Sequence, residues 1–474
     1  MESIIGRELE IEQLQKYIGS RKAEFIAIYG RRRVGKTYLV RQLFQERLAF
    51  DMSGVINGSK EEQMGSFIQA LRQSGMSPDT PTPTKWMEAF AVLRDLMAER
   101  PKDTPCLIFI DELPCLDTPR ARFVQALDHF WNGWAAHQSH VKLIVCGSAT
   151  SWMVRNLIDS HGGLHNRLTH EMHLHQFTLR EVEDYLRHEH FKWNRQTICQ
   201  LYMITGGIPY YLSLLDNGQG LPENIDRLFF STDGELRREY QRLYRSLFKE
   251  PEPYMRIIQL LAAHRQGLTR EEIVAKTGKE TGGYLTTLLE DLVNCDFIRY
   301  YNIREQRIKK NGGIYQLVDF YTLFYHTFLA KPVTDEHFWS HTQNQPIQNT
   351  WNGLAFERVV MAHIPQVKTA LGIDRIHTEY YSWRSRKSKP KAQVDLLIER
   401  SDQLINLCEI KFAKAPYALT EEEDMRLRVR MDDFQQETGT RAGILLTMIT
   451  TYGLRQNEHS GGVNAEVRMN DLFS

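Results

Sequence analysis

Apolar and polar positions follow two regimes along this chain. Over residues 1–180, short apolar runs are separated by amphipathic stretches. Phe25–Tyr29, Leu48–Met52, Cys106–Ile110, Lys142–Cys146 and Glu171–Leu174 are predicted as strands, and Tyr38–Gln45, Gln63–Gln73 and Lys85–Glu99 as helices. Strands alternating with helices predict βα units around a parallel sheet. Met76–Thr84, rich in Pro and Thr, breaks the series as a loop. From 181 to 250 the pattern is helical, and Lys249-Glu-Pro-Glu-Pro253 marks a boundary. Residues 254–330 read as three short helices and a two-stranded ribbon whose tip is Lys309–Gly313. A polar connector, Thr334–Thr350, leads to a last α/β segment, Trp351–Ser474. The expected organisation is therefore a core (1–180), a helical lid (181–250), a three-helix module (251–332), a connector (333–350) and a C-terminal domain (351–474).

Composition changes this picture little. A length of 474 residues suits about three domains. Apolar residues at 42% and charged residues at 25% are an ordinary globular mixture. The formal net charge is +0, so any nucleic-acid surface must be local. The six cysteines are scattered without a CxxC pair, which suits a reducing compartment and argues against a disulfide framework or a cysteine zinc site. The N-terminus has no signal-peptide pattern, and no apolar run approaches the ~20 residues that span a bilayer. The expectation is a soluble, cytoplasmic chain without membrane contact. His161, His165, His170, His173 and His175 are dense, but their spacings fit no standard single-element metal set. His173 and His175 would share a strand face, and the run reads as ordinary polar or packing histidines.

Gly30-Arg31-Arg32-Arg33-Val34-Gly35-Lys36-Thr37 matches G-x-x-x-x-G-K-[ST] between a strand and a helix that begins near Tyr38. Glycines let backbone N–H groups curl around phosphate, and the helix N-terminus adds a positive dipole. Lys36 would neutralise the β and γ oxygens of ATP, and the Thr37 hydroxyl would join the Mg2+ shell. The apolar run Cys106–Ile110 ends in Asp111-Glu112, so both acids emerge at the C-terminal edge of the sheet, where ligands bind in open α/β folds. Asp111 would hold Mg2+ through water, and Glu112 would orient and deprotonate the attacking water. Ser148, ending a third strand, is placed to sense the γ-phosphate.

With Ile5-Gly-Arg-Glu8 and Gly206-Gly-Ile-Pro-Tyr-Tyr-Leu212, these motifs resemble the archaeal-type ATPase family, a P-loop branch close to AAA+ and STAND ATPases. The resemblance implies that Pro209, Ile5 and Arg7 border the base. It also implies a γ-phosphate finger at Arg167, acting in a neighbouring subunit of a homo-oligomer, with Arg155 as a second candidate.

The helix Tyr254–His264, the Thr269/Glu272 capping box and the third helix with Leu285, Leu288, Leu289 and Leu292 precede the ribbon and resemble a winged helix-turn-helix. Its third helix is acidic at Glu290 and Asp291, while the wing carries Arg304, Arg307, Lys309 and Lys310. DNA contact and a packing role both fit. Further on, Gln393-Val-Asp395 and Cys408-Glu409-Ile-Lys411 read as two strands of a hairpin that sends Glu409 and Lys411 to one face near Asp395. Two hard oxygen ligands beside a lysine suit Mg2+-assisted phosphodiester hydrolysis. This constellation, with Gly353-Leu-Ala-Phe-Glu357 and Tyr380-Tyr-Ser-Trp383, resembles the PD-(D/E)XK nuclease superfamily. The resemblance implies Glu357, Asp395 and Glu409 as metal ligands, although Gln393 stands where that family usually has an acid. Arg384, Arg386, Lys387, Lys389 and Lys391 form a basic run that suits either a DNA backbone or solvent. The whole predicts an ATPase whose nucleotide state regulates a nuclease-like domain acting on DNA, or a switch or scaffold whose nuclease-like domain is inactive.

Overall fold

In the computed structural model, which describes residues 4–148, 150–158, 167–278, 282–301, 313–385 and 392–474, all five N-terminal apolar runs form strands. They are β1 (Glu24–Tyr29), β2 (Leu48–Ser53), β3 (Cys106–Asp111), β4 (Val141–Gly147) and β5 (His170–His173). The sheet order is β2-β3-β4-β1-β5 and every pairing is parallel. β3 and β4 are buried along their whole length, as an apolar strand covered on both faces must be. On one side the cover is an aromatic cluster in which Phe67 and Phe123 meet Trp86 edge-on, at 5.4 and 4.9 Å.

This sheet belongs to a compact unit comprising residues up to Gln176 together with Arg242–Pro251 and Leu289–Asp296. Two of its helices start earlier than periodicity predicts. The helix Lys36–Phe44 begins inside the glycine motif, because Gly35 at φ 95° is its N-cap. The helix Lys60–Gln73 begins at a Ser59/Glu62 capping box. Met76–Thr84 has neither helix nor strand, as its prolines require.

The second unit comprises Phe177–Gln241, Glu252–Leu288 and Phe297–Ser474. It opens with helices Leu179–His188 and Arg195–Thr205, each with a side-chain N-cap. The Thr269/Glu272 capping box starts the helix Arg270–Thr277. β6 (Leu268–Thr269), β7 (Ile298–Tyr301) and β8 (Ile314–Leu317) form an antiparallel sheet in the order β6-β8-β7. The short β6 strand has no signal in the hydrophobic pattern. Most of the expected ribbon tip, with Arg304, Arg307, Lys309 and Lys310, lies outside the described residues, as do Arg386, Lys387, Lys389 and Lys391.

The C-terminal segment builds a mixed sheet from β9 (Thr378–Arg384), β10 (Gln393–Arg400), β11 (Leu404–Lys411), β13 (Gly443–Thr450) and β15 (Ala465–Arg468). Its order is β15-β13-β11-β10-β9, and β12 (Tyr417–Ala418) pairs separately with β14 (Leu454–Arg455). β9, β10 and β11 are antiparallel, whereas the helix Glu421–Thr438 intervenes between the parallel strands β11 and β13. Trp383 of β9 packs edge-on against Phe434 of that helix at 5.4 Å. No helix among the described residues is long and apolar enough to cross a membrane.

Candidate functional site

At the C-terminal edge of the parallel sheet the chain turns tightly after β1. Gly30 adopts φ 143°, and a Cβ there would lie 2.3 Å from the Leu174 carbonyl oxygen, so the close approach excludes any side chain. Arg33 and Gly35 are also left-handed, at φ 74° and 95°, and the loop curls back over the start of the helix Lys36–Phe44. Lys36 is only 5% exposed. Its ammonium donates to the Gly30 and Arg31 carbonyls, each at 2.9 Å, and to Ser148 Oγ at 3.1 Å. Burial depresses its pKa, while the nearby Glu112 and Asp111 oppose that fall.

Thr37 Oγ1 donates to Asp111 Oδ2 at 2.8 Å, and Ser53 Oγ donates to the same oxygen at 3.3 Å. Asp111 Oδ1 is buried without a hydrogen-bond partner. Burial raises the pKa of Asp111, as does the adjacent Glu112, and the bond from Thr37 offsets part of that rise. An orphaned carboxylate oxygen beside two hydroxyls is a hard-oxygen donor set that fits Mg2+. Glu112, at φ 46°, swings its carboxylate to accept from Ser148 Oγ at 2.6 Å and from Ser148 N at 3.2 Å. Lys36, Ser148 and Glu112 thus form one hydrogen-bonded line across the strand ends. Sequence reasoning missed Ser53 and Arg41. Arg41 bonds Ser53 Oγ at 3.1 Å and Asp51 at 3.2 Å, and the only advance signal was that β2 ends at the same sheet edge.

The other predicted residues are spread more widely. Arg31 and Val34 are buried within the loop, Arg32 and Arg33 are half-buried, and Tyr38 is exposed on the first helical turn. Arg7 is buried, and its guanidinium donates to the Val34 carbonyl at 3.3 Å and the His175 carbonyl at 2.6 Å, bracing the loop from behind. Arg155 is ion-paired with Asp291. Arg167 does not come near the loop of its own chain. It precedes β5, where Thr169 bonds the Phe25 carbonyl at the start of β1, so it sits toward the N-terminal edge of a parallel sheet whose loop is at the other end. In the second unit, Pro209 opens the helix Pro209–Leu212 after two left-handed glycines. A Cβ on Gly207 would lie 2.3 Å from the Phe177 carbonyl oxygen, which gives that glycine a packing reason of its own.

The C-terminal sheet has an acidic face. In β11, Cys408 and Ile410 are buried while Glu409 and Lys411 are half-buried on the opposite side. Leu396 pairs with Cys408, and extending that register by one residue sets Asp395 opposite Glu409. Glu357, on the helix Pro346–Ala362, is close enough to feel both acids. Its carboxyl is pushed up to about 7, by burial first and then by Asp395 and Glu409, with Arg358 and Lys411 opposing them. Glu409 is ion-paired to Lys411 at 2.9 Å and to Arg430 at 2.5 Å, and Asp395 accepts from the Gln393 amide at 2.6 Å. Arg430, on the helix Glu421–Thr438, had no signal in the strand pattern. Among the described residues, one group of three His, Cys, Asp or Glu side chains brings its ligand atoms within 4.8 Å of one another, and it is His173, His175 and Asp296. Glu357, Asp395 and Glu409 are neighbours but do not close to that distance.

Residues 4–215 match the family model described as an ATPase domain predominantly from Archaea. An uncharacterised protein of Methanocaldococcus jannaschii is 25% identical over 366 residues, spanning 75% of this chain and 76% of its own. Among solved structures, a Walker-type ATPase of Pyrococcus abyssi aligns at 20% identity with a TM-score of 0.48, over 69% of this chain and 96% of that one. The ORC2 protein of Aeropyrum pernix aligns at 14% identity with a TM-score of 0.38, over 69% of this chain and 95% of that one. Over residues 4–215 the likeness is thus to an ATPase domain of the kind found predominantly in Archaea.

Proposed function

We propose that this protein binds ATP with Mg2+ at the Gly30–Thr37 loop, hydrolyses it, and uses the nucleotide state to regulate a nuclease-like C-terminal domain acting on DNA. The observation that carries the first part is the contact of Thr37 with Asp111, beside a buried, unpartnered carboxylate oxygen. Bound Mg2+ would neutralise charge developing on the phosphates. The backbone N–H groups of Arg31–Gly35 would hold the β-phosphate, and Lys36 would exchange its loop carbonyls for charged phosphate oxygens, which are stronger acceptors. Glu112 would orient and deprotonate the attacking water, and Ser148 links that carboxylate to the lysine on the phosphate. Arg167, on the far edge of its own sheet, would serve hydrolysis only in a second copy of the chain, which makes the active form a homo-oligomer.

The three-helix module with β6, β7 and β8 is a winged helix in this reading, and the mixed sheet is the nuclease-like domain. A second reading has a specific observation in its favour. Glu409 is held by two cations and Asp395 by the Gln393 amide, so the acids are engaged with protein partners instead of converging on one point. The C-terminal domain would then be a catalytically inactive platform switched by ATP. Supercoiled plasmid incubated with Mg2+, with and without ATP, separates the two. Cleavage lost in both Asp395→Ala and Lys411→Ala supports the nuclease. Salt-sensitive binding without cleavage supports the platform, and no DNA binding at low salt removes DNA from the account.

The raised carboxyl of Glu357 gives a prediction about stability. An acid titrating near 4.5 when unfolded and near 7 when folded makes the folded state hold the extra proton between those values. Its contribution to stability therefore falls as pH rises from 4.5 to 7 and stays unfavourable above that. Glu357→Gln is expected to raise the unfolding free energy read from urea titration at pH 8 by on the order of 2 kcal/mol, and to change it little at pH 4.5. Equal effects at both pH values would contradict the raised carboxyl.

A further inference from the structure

Of the histidine run, His161 and His165 lie outside the described residues, and two of the others find a partner that spacing along the chain could not reveal. β5 ends at His173, so His175 lies beyond the strand instead of sharing its face, yet both meet Asp296, a left-handed residue at φ 58° just after the helix Gly282–Asn294. All three belong to the first compact unit. His173 Nε2 lies 3.2 Å from Asp296 Oδ2, and His175 Nδ1 lies 3.4 Å from the same oxygen. The two rings are 3.9 Å apart, with their nitrogens and the carboxylate oxygen all within 4.8 Å of one another.

We propose that His173, His175 and Asp296 form a binding site for a divalent transition-metal ion of the zinc type. Ligand bonds of 2.0–2.1 Å in a tetrahedron place neighbouring donors about 3.3 Å apart, and both measured imidazole-to-carboxylate separations fall there. His173 Nε2 and Asp296 Oδ2 are buried yet make no hydrogen bond of acceptable geometry, the condition in which an ion completes a polar cluster. Two nitrogens and one oxygen select zinc, cobalt or nickel over Mg2+, which distinguishes this site from the phosphate loop. Three protein ligands leave a fourth position for water.

The site backs onto the phosphate loop. His173 stacks on Tyr29, the last residue of β1, at 4.8 Å, and Arg7 bonds the His175 carbonyl and the loop carbonyl of Val34. An ion held here would tie residues 289–296 to the sheet edge behind the loop. The inference does not depend on ATP being the nucleotide or on hydrolysis.

The test uses the full-length, untagged chain after chelator treatment, titrated with Co2+ alone, without nucleotide or Mg2+. The expected result is one equivalent bound with the intense visible bands of tetrahedral cobalt, displaced by one equivalent of Zn2+. His175→Ala and Asp296→Asn are each expected to weaken binding at least ~10-fold, the smallest loss seen even for residues that only support a ligand. Weak octahedral bands in the wild type, or no binding at micromolar metal, would overturn the proposal without any variant. Undiminished binding in folded variants would place the ion elsewhere and overturn it equally.

Discussion

Lys36→Ala is expected to lower ATP turnover by about 10²–10³-fold, the loss typical of removing one preorganised charge from a transition state. Lys36 sits in the fold of the loop, 5% exposed, its ammonium donating to the Gly30 and Arg31 carbonyls and to Ser148 Oγ. Burial makes its charged form costly and Glu112 and Asp111 offset part of that cost; in the proposed function a bound triphosphate would add the anionic partner. Alanine removes a desolvated cation without opening the sheet. Circular dichroism should show an intact fold, so the loss would report on chemistry and nucleotide affinity. A folded Lys36→Ala protein turning over ATP at the wild-type rate would place hydrolysis at some other site.

The second large effect separates chemistry from binding. Glu112→Gln is expected to reduce kcat by about 10²–10⁴-fold, the usual contribution of a positioned general base, while Mg-ATP affinity changes only a few-fold. Glutamine keeps the shape of the side chain and leaves an oxygen to accept from Ser148, so the line from Lys36 through Ser148 survives. Proton acceptance is lost, together with the second carboxylate oxygen that accepts from Ser148 N. Asp111→Asn makes the contrast, because it removes charge from the carboxylate that Thr37 and Ser53 address, and it should weaken Mg2+ dependence and binding together. Single-turnover kinetics with excess enzyme checks both. Normal single-turnover hydrolysis in Glu112→Gln would mean that another group activates the water.

The parts of this account legible in the sequence are those encoded locally. The glycine loop is one: its residues are contiguous, and the strand before it is an apolar run from Phe25 to Tyr29. The alternation of β11 is another, since Glu409 and Lys411 face one way while Cys408 and Ile410 pack the other. What the sequence hid depends on chain direction and on distant partners. Arg167 stands close to β5 in sequence, but in a parallel sheet the start of a strand faces away from the ligand edge. Arg430 reaches Glu409 from a helix, and Asp296 reaches the paired histidines from the far end of another segment. The early helix starts at Lys36 and Lys60 reflect N-caps, Gly35 and Ser59, that outweigh the apolar period.

The central claim, that the loop beginning at Gly30 grips a triphosphate opposite Asp111 and Glu112, is tested most directly by calorimetry. Titrating the folded, full-length chain with a non-hydrolysable ATP analogue and Mg2+ should give saturable uptake at one site per chain. That heat should be lost in Lys36→Ala and reduced when Mg2+ is withdrawn. Folded wild-type protein that takes up no nucleotide under these conditions would contradict the account.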